Sequence, residues 1–114
     1  MVRLYGIPNC DTMKKARRWL EEHSVDYQFH DYKREGVDET RLRRWARQVG
    51  WETLLNRRGM MWRKLDEATK ADLNQASAIR IMVRTPSIIK RPVLEYGKNL
   101  HVGFSAEEYA KIFN

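Results

Sequence analysis

The chain has 114 residues, of which 42% are hydrophobic, a net charge of +7 and a single cysteine. This length predicts one domain over residues 1–114, and no apolar run approaches the ~18 residues that a membrane helix needs. The N-terminus lacks a signal-peptide hydrophobic region, so we expect a cytoplasmic protein that does not associate with a membrane. One cysteine cannot form an internal disulfide, so we expect a free thiol.

Alternating residues in VRLYGI predict a strand over residues 2–7, which Pro8 ends. Apolar residues at helical spacing predict a helix from Asp11 to about Glu22. Val25, Tyr27 and Phe29 share one face of a second predicted strand. The next helix is expected to start at an Asp38 N-cap and to run to Val49, before Gly50.

Residues 51–84 read as several short helices, with a possible apolar stripe in the later part formed by Leu73, Ala76, Ile79 and Val83. SIIK and PVLEY read as strands, and VLEYGKNLHV predicts an antiparallel hairpin because its connection is short. Ser105 and Glu108 match a capping box that opens a last helix. The order predicts a parallel β-α-β unit, a helical insertion, a hairpin and a helix, hence a small mixed α/β sandwich.

The only cysteine, Cys10, follows the first strand and precedes the first helix. Unpaired N–H groups and the helix dipole at such a position favour the thiolate, the reactive form of cysteine. Lys14 lies one turn further along and adds positive charge, whereas Asp11 opposes it. The alternative is an inert buried thiol. The loop position favours the reactive interpretation, because a core cysteine would more naturally lie within an apolar stripe.

Three segments carry a family resemblance: YGIPNCDTMKKARRWLEEHSVDYQFHDY, TPSIIKRPVL and LHVGFSAEEY. They resemble the ArsC-like branch of the thioredoxin superfamily, in the right order and over nearly the whole chain. Within it the chain is most similar to YffB-type proteins, and more distantly similar to arsenate reductases and Spx regulators. The resemblance implies a thioredoxin-like α/β fold: a mixed sheet of about four strands with flanking helices and a helical block inserted at about 38–84. It also implies that Cys10 is the nucleophile.

Further site residues follow from the same resemblance. Arg91 matches the arginine before the family's cis-proline, which falls on Pro92, and Arg57 or Arg58 matches a second oxyanion-binding arginine. A third arginine is expected after the hairpin, where this chain has His101, Val102 and Gly103. The remaining candidate substrate-binding residues lie beside the cysteine: Asn9, Thr12 and Lys14.

Position 13 is Met, so the chain lacks the second cysteine of a C-x-x-C motif. Any disulfide formed at Cys10 must therefore be resolved by an external thiol, and glutathione is the expected co-substrate. No bound cofactor is expected, nor a zinc site, because the three histidines are scattered. Switching through an internal cysteine pair is excluded.

The sequence therefore predicts a glutathione-dependent thiol reductase that acts on glutathione or another small anionic substrate. One alternative is an arsenate reductase coupled to glutaredoxin, which the missing third arginine disfavours. The other is a Spx-like regulator that binds RNA polymerase through a basic face. Nucleic-acid binding is not expected, because no recognition motif accompanies the positive charge.

Overall fold

The structure is a computed structural model that describes residues 1–114. It divides into two compact units. The sheet unit comprises Met1–Asp31 and Arg91–Asn114, and the helical unit comprises Tyr32–Lys90. The helical unit is thus inserted in the chain of the sheet unit, and it is wider at both ends than the predicted insertion of about 38–84. None of the helices is both long and apolar enough to span a membrane.

The sheet unit contains one four-stranded sheet in the order β2-β1-β3-β4. The strands β1 and β2 are parallel, while β1–β3 and β3–β4 are antiparallel. The predicted β-α-β unit, the hairpin and the mixed sheet are therefore confirmed. The strands are β1 (Val2–Gly6), β2 (Gln28–Asp31), β3 (Val93–Tyr96) and β4 (Asn99–Val102).

Two helices of the sheet unit pack on the same face of the sheet: α1 (Asp11–Glu22) and α8 (Ala106–Phe113). Leu4 and Leu94 are paired across β1 and β3, and their fully buried side chains join α1 and α8 in one cluster. Tyr109 is the buried residue of α8. This arrangement fixes α1, and with it the residue at the helix start, against the sheet.

The helical unit consists of six helices and one 3-10 turn. In α3, Leu42, Trp45 and Ala46 form the buried face, and the predicted N-cap Asp38 accepts a hydrogen bond from the Arg41 backbone N–H at 2.7 Å. The helices α3 and α7 pack against each other. The elements are α2 (Tyr32–Glu35), α3 (Glu39–Val49), α4 (Trp51–Leu54), α5 (Met60–Arg63), α6 (Glu67–Ala71), α7 (Gln75–Arg84) and the turn Pro86–Ile88.

Three sequence predictions differ from the structure in local detail. The second strand starts at Gln28 and not at Val25, because the Val25 N–H is still bonded to the Leu20 carbonyl at the end of α1. The SIIK segment is no strand, since Pro86 opens a 3-10 turn there. In α7 the buried face is Ala78, Ile79 and Met82, and Val83 of the predicted stripe is 40% exposed.

Candidate active site

The candidate active site lies at one end of the sheet. Tyr5 pairs with Val93 in the antiparallel register of β1 and β3, so the loop that leaves β1 lies beside the residues that enter β3. The first of these segments ends at Cys10 and the second begins with Arg91. The Arg91–Pro92 peptide bond is cis, the conformation that the family resemblance implies.

Cys10 is the N-cap residue of α1 and its side chain is half-buried. Burial by itself raises the pKa of the thiol, but this is outweighed by the backbone N–H of Met13, the side chain of Arg91 and the backbone N–H of Thr12. The net result is a thiol pKa below its ordinary value. The thiolate is therefore favoured by the helix start, as the sequence indicates, and also by a guanidinium.

Arg91 stabilises the thiolate in two ways. Its side chain donates a hydrogen bond to the Cys10 sulfur, and its positive charge attracts the negative charge that forms on that sulfur. Both contributions disappear when the sulfur is protonated and uncharged, so they act selectively on the reactive form.

The other predicted residues near Cys10 occupy different positions. Asn9, Thr12 and Lys14 are exposed, and the Lys14 backbone N–H donates to the Cys10 carbonyl at 2.9 Å. The Lys14 charge is not among the groups that lower the pKa of Cys10, and neither is the opposing charge of Asp11. Of the predicted site side chains, the structure brings Cys10 and Arg91 together.

Position 13, where a second cysteine would complete the C-x-x-C spacing, is a core position. Met13 is fully buried, and its thioether lies against the backbone of Gly6 so closely that a Cβ at position 6 would overlap it. The glycine at the end of β1 is thus explained by packing. Met13, three positions after Cys10, is therefore part of the hydrophobic core.

The segment after the hairpin closes the same end of the sheet without an arginine. The Gly103 N–H donates to the Pro92 carbonyl at 2.8 Å, and Gly103 has a φ of 91°, which favours glycine over any other residue. The His101 ring lies on the side of the core, 5.9 Å from the Tyr109 ring between centroids. Neither residue replaces the missing third arginine.

Arg57 and Arg58 line a pocket within the helical unit, with a volume of about 400 Å³. Its base is a short strand-like pairing, in which the Asn56 N–H donates to the Ile88 carbonyl and the Lys90 N–H donates to the Leu54 carbonyl, at 2.9 and 2.7 Å. The lining residues are Glu52, Leu55, Asn56, Arg57, Arg58 and Lys90. Three cations face one carboxylate there, which makes the pocket suited to an anion.

The two arginines of this pocket are held differently. The Arg57 guanidinium lies between two tryptophan rings, 6.0 Å from the centroid of Trp51 and 5.6 Å from that of Trp62. The Arg58 backbone N–H donates to the Asn56 side chain at 3.1 Å. Cation–π contacts restrain the Arg57 side chain, whereas Arg58 is anchored through its backbone.

Sequence reasoning anticipated backbone N–H donors at the start of α1, and the structure identifies them as those of Thr12 and Met13. It missed one residue of these sites. Lys90 lines the pocket of the helical unit. The only signal for Lys90 in the sequence is its position directly before Arg91. The segment that contains Lys90, SIIK, was predicted as a strand, whereas the structure has a 3-10 turn there.

The mixed sheet, the cysteine at the start of the first helix and the arginine before a cis-proline define a thioredoxin-like protein with a single candidate redox thiol. More narrowly, the chain belongs to the ArsC family, whose sequence model matches residues 5–112.

Comparison with known proteins gives the same result. The solved structure of the YffB (PA3664) protein is 58% identical and superposes with a TM-score of 0.94 over 97% of each chain. An arsenate reductase (ArsC) related protein from Brucella melitensis is 53% identical, with a TM-score of 0.79 over 98% of this chain and 93% of that one. The global transcriptional regulator Spx of Streptococcus pyogenes is 29% identical over 95% of this chain and 81% of its own length.

Proposed function

We propose that this protein is a glutathione-dependent thiol reductase whose nucleophile is Cys10. The observation that carries the proposal is the half-buried Cys10 thiol, whose pKa is lowered by the start of α1 and by Arg91. A thiolate attacks a disulfide faster the larger its ionised fraction, provided that the substrate can reach the sulfur.

The reaction proceeds in two exchanges. The Cys10 thiolate attacks one sulfur of a substrate disulfide, forms a mixed disulfide with it and releases the other sulfur as a thiolate. An external glutathione thiolate then attacks the mixed disulfide, which restores the Cys10 thiolate. When the group held on Cys10 is glutathionyl, this second exchange consumes one glutathione and releases oxidised glutathione. Any other group leaves as its mixed disulfide with glutathione, and a second glutathione thiolate then attacks the glutathione sulfur of that disulfide, releases the group as a thiolate and forms oxidised glutathione. The chain has no other cysteine that could perform the second step.

Arg57 and Arg58 are the proposed holders of anionic substrate groups. This assignment is supported by the excess of cations in their pocket. Carboxylates of a glutathionyl group are ligands that arginine forks bind with two hydrogen bonds. Arg57→Ala and Arg58→Ala should each increase the oxidised-glutathione concentration needed for half-maximal reaction, while leaving the pKa of Cys10 unchanged.

The direct test is the mass of the protein after incubation with oxidised glutathione at neutral pH. The wild-type protein should gain one glutathione, and Cys10→Ser should gain none. A wild-type chain that stays unmodified would contradict the proposal. Lys98→Ser is a matched surface control that should be modified like the wild type.

Arsenate reduction through the same cysteine is a second candidate, suggested by the similarity to the arsenate reductase related protein of Brucella melitensis. It would require arsenate-dependent, glutaredoxin-coupled turnover that Arg91→Ala abolishes. The Spx relative suggests a third role, as a regulator that binds RNA polymerase with Cys10 idle. Retention of the polymerase by both the wild type and Cys10→Ser would favour that role over either enzyme.

A further inference from the structure

The positive charge of this protein belongs entirely to one of its two units. Residues 32–90 contain 14 Lys or Arg and 7 Asp or Glu, which gives +7, while the sheet unit contains 8 of each and is neutral. The proposed thiol chemistry uses Cys10 and Arg91 of the neutral unit. The excess charge of the helical unit therefore calls for a separate explanation.

Part of this charge lies on the outer faces of two packed helices. On α7, Arg80 and Arg84 are exposed one turn apart, opposite the buried Ala78, Ile79 and Met82, and α7 contains no acidic residue. On α3, Arg43, Arg44 and Arg47 are exposed opposite the buried face. We call this set the basic face: Arg43, Arg44, Arg47, Arg80, Val83 and Arg84.

Ion pairs within the protein neutralise little of the basic face. Arg43 is paired with Glu39 one turn earlier in α3. Arg44, Arg47, Arg80 and Arg84 have no carboxylate partner in the structure. Four unpaired guanidinium groups on adjacent helices leave a field that favours a negatively charged partner.

The basic face is not purely polar. Val83 lies beside Arg80 and Arg84 on α7, at the border with the buried face, and is 40% exposed, one of the three most exposed large hydrophobic residues of the chain. Ten of the 14 cations of the helical unit are arginines. Arginines around an exposed apolar residue are typical of protein interfaces, where Arg is enriched and Lys depleted.

We propose that the basic face of α3 and α7 binds an acidic protein surface that carries an apolar side chain at its edge, contacting Val83. Neither unit of a second copy carries a net negative charge, so charge complementarity favours a different, acidic partner. Binding requires neither Cys10 nor its ionisation. The interaction is thus separable from the proposed thiol reductase function, and either can fail without the other.

The test uses the full-length protein and a synthetic amphipathic peptide with leucines on one helical face and glutamates on the other. The protein amide resonances that shift when the peptide is added should belong to α3 and α7, and the affinity should fall with increasing salt. Arg80→Gln/Arg84→Gln should weaken binding about tenfold or more, since two charged contacts are lost. Lys15→Gln/Arg18→Gln removes the same charge from exposed positions on α1 and should bind like the wild type.

A second pair of measurements separates this partner from nucleic acid. Val83→Ser should weaken peptide binding about fivefold with little change in its salt dependence, because an apolar contact is lost. Replacing the peptide's glutamates by glutamine should abolish binding. Tighter binding of mixed-sequence DNA than of the peptide, unaffected by Val83→Ser, would overturn the proposal, as would equal loss of binding in the α1 control. Amide spectra of each variant establish that it is folded.

Discussion

At the scale of single residues, the pKa of Cys10 results from a balance between burial of the thiol and stabilisation of the thiolate. Burial opposes ionisation, while two backbone N–H groups and Arg91 favour it. Arg91 acts both as a hydrogen-bond donor and as a charge, so no other side chain affects the sulfur in as many ways. Reactivity of the thiol should therefore depend on Arg91 more than on any nearby lysine.

Arg91→Ala should raise the pKa of Cys10, because the side-chain hydrogen bond and the attraction to the guanidinium are both lost while burial remains. The midpoint of the pH dependence of alkylation moves to higher pH, and alkylation at pH 7 becomes slower. The rate of modification by iodoacetamide across a pH series measures this midpoint directly.

Lys14→Ala is the matched control, since it removes a positive charge one turn from Cys10 that does not contribute to the pKa shift. Its midpoint should coincide with that of the wild type. Equal shifts in both variants, or no shift in Arg91→Ala, would show that the guanidinium has no special role.

At the scale of elements, the start of α1 differs from the starts of other helices in the chain. Asp38, Asp66, Asn74 and Ser105 cap α3, α6, α7 and α8 through side-chain oxygens. Cys10 occupies the same position in α1, but its side chain forms no cap hydrogen bond of normal geometry. Among the helices of eight or more residues, α1 is therefore the one that lacks a side-chain cap, and it carries the candidate nucleophile.

Cys10→Ser should increase the free energy of unfolding by about 1 kcal/mol at acidic pH, because serine is a good N-cap. The folded-state pKa of Cys10 is lowered, so the thiolate stabilises the fold above that pKa and contributes nothing below it. The advantage of serine should therefore shrink as the pH rises through the pKa of Cys10. Urea denaturation at several pH values measures both effects.

The accompanying variant is Cys10→Ala, which removes the sulfur without supplying a cap oxygen. It should show no gain at acidic pH and a loss at higher pH. A gain as large as that of Cys10→Ser would mean that removal of the thiol, and not capping, causes the stabilisation.

Elements with a strong local pattern were predictable from the sequence. The amphipathic spacing of α1 and α3, the Asp38 cap and the short connection between β3 and β4 each determine a local structure on their own. Residues 51–71 were harder, because helices of four or five residues have too few turns for a clear period. After α7, the β-branched residues of SIIK are typical of a strand, but Pro86 opens a 3-10 turn there.

Some residues of the candidate site were predictable from the sequence and others were not. Cys10 and Arg91 were found because an unusual residue type or a neighbouring proline marks them. The backbone N–H donors to the Cys10 sulfur followed from the predicted helix start. The pocket position of Lys90 depends on backbone geometry, which no residue type signals. The roles of Asn9, Thr12, Lys14, Arg57 and Arg58 in substrate binding stay predictions.

At the scale of the whole molecule, the presence of only one cysteine in 114 residues determines how a disulfide at Cys10 can be released. A mixed disulfide at Cys10 has no intramolecular route of release, because position 13 is occupied by a core methionine. Release of the bound group must therefore depend on the concentration of a thiol in solution.

Glutathione released from the modified wild-type protein should follow a rate proportional to added thiol, with no release in its absence. Met13→Cys should add a concentration-independent phase, since it supplies an internal thiol with C-x-x-C spacing. Met13→Ala suffers a comparable loss of packing without gaining a thiol, and should lack that phase. Rapid-quench mass measurements follow each reaction, and thiol-independent release by the wild type would contradict the expectation.

The hydrogen bond from the Tyr32 hydroxyl to the Lys90 carbonyl, 3.2 Å long, ties together the first and last residues of the helical unit. The polypeptide thus departs from the sheet and rejoins it at neighbouring points. Exchange of the whole helical unit between relatives would require the sequences to match at only two neighbouring positions, where the unit begins and where it ends. Recombination could accordingly give the same redox scaffold a new recognition module without rebuilding its strands.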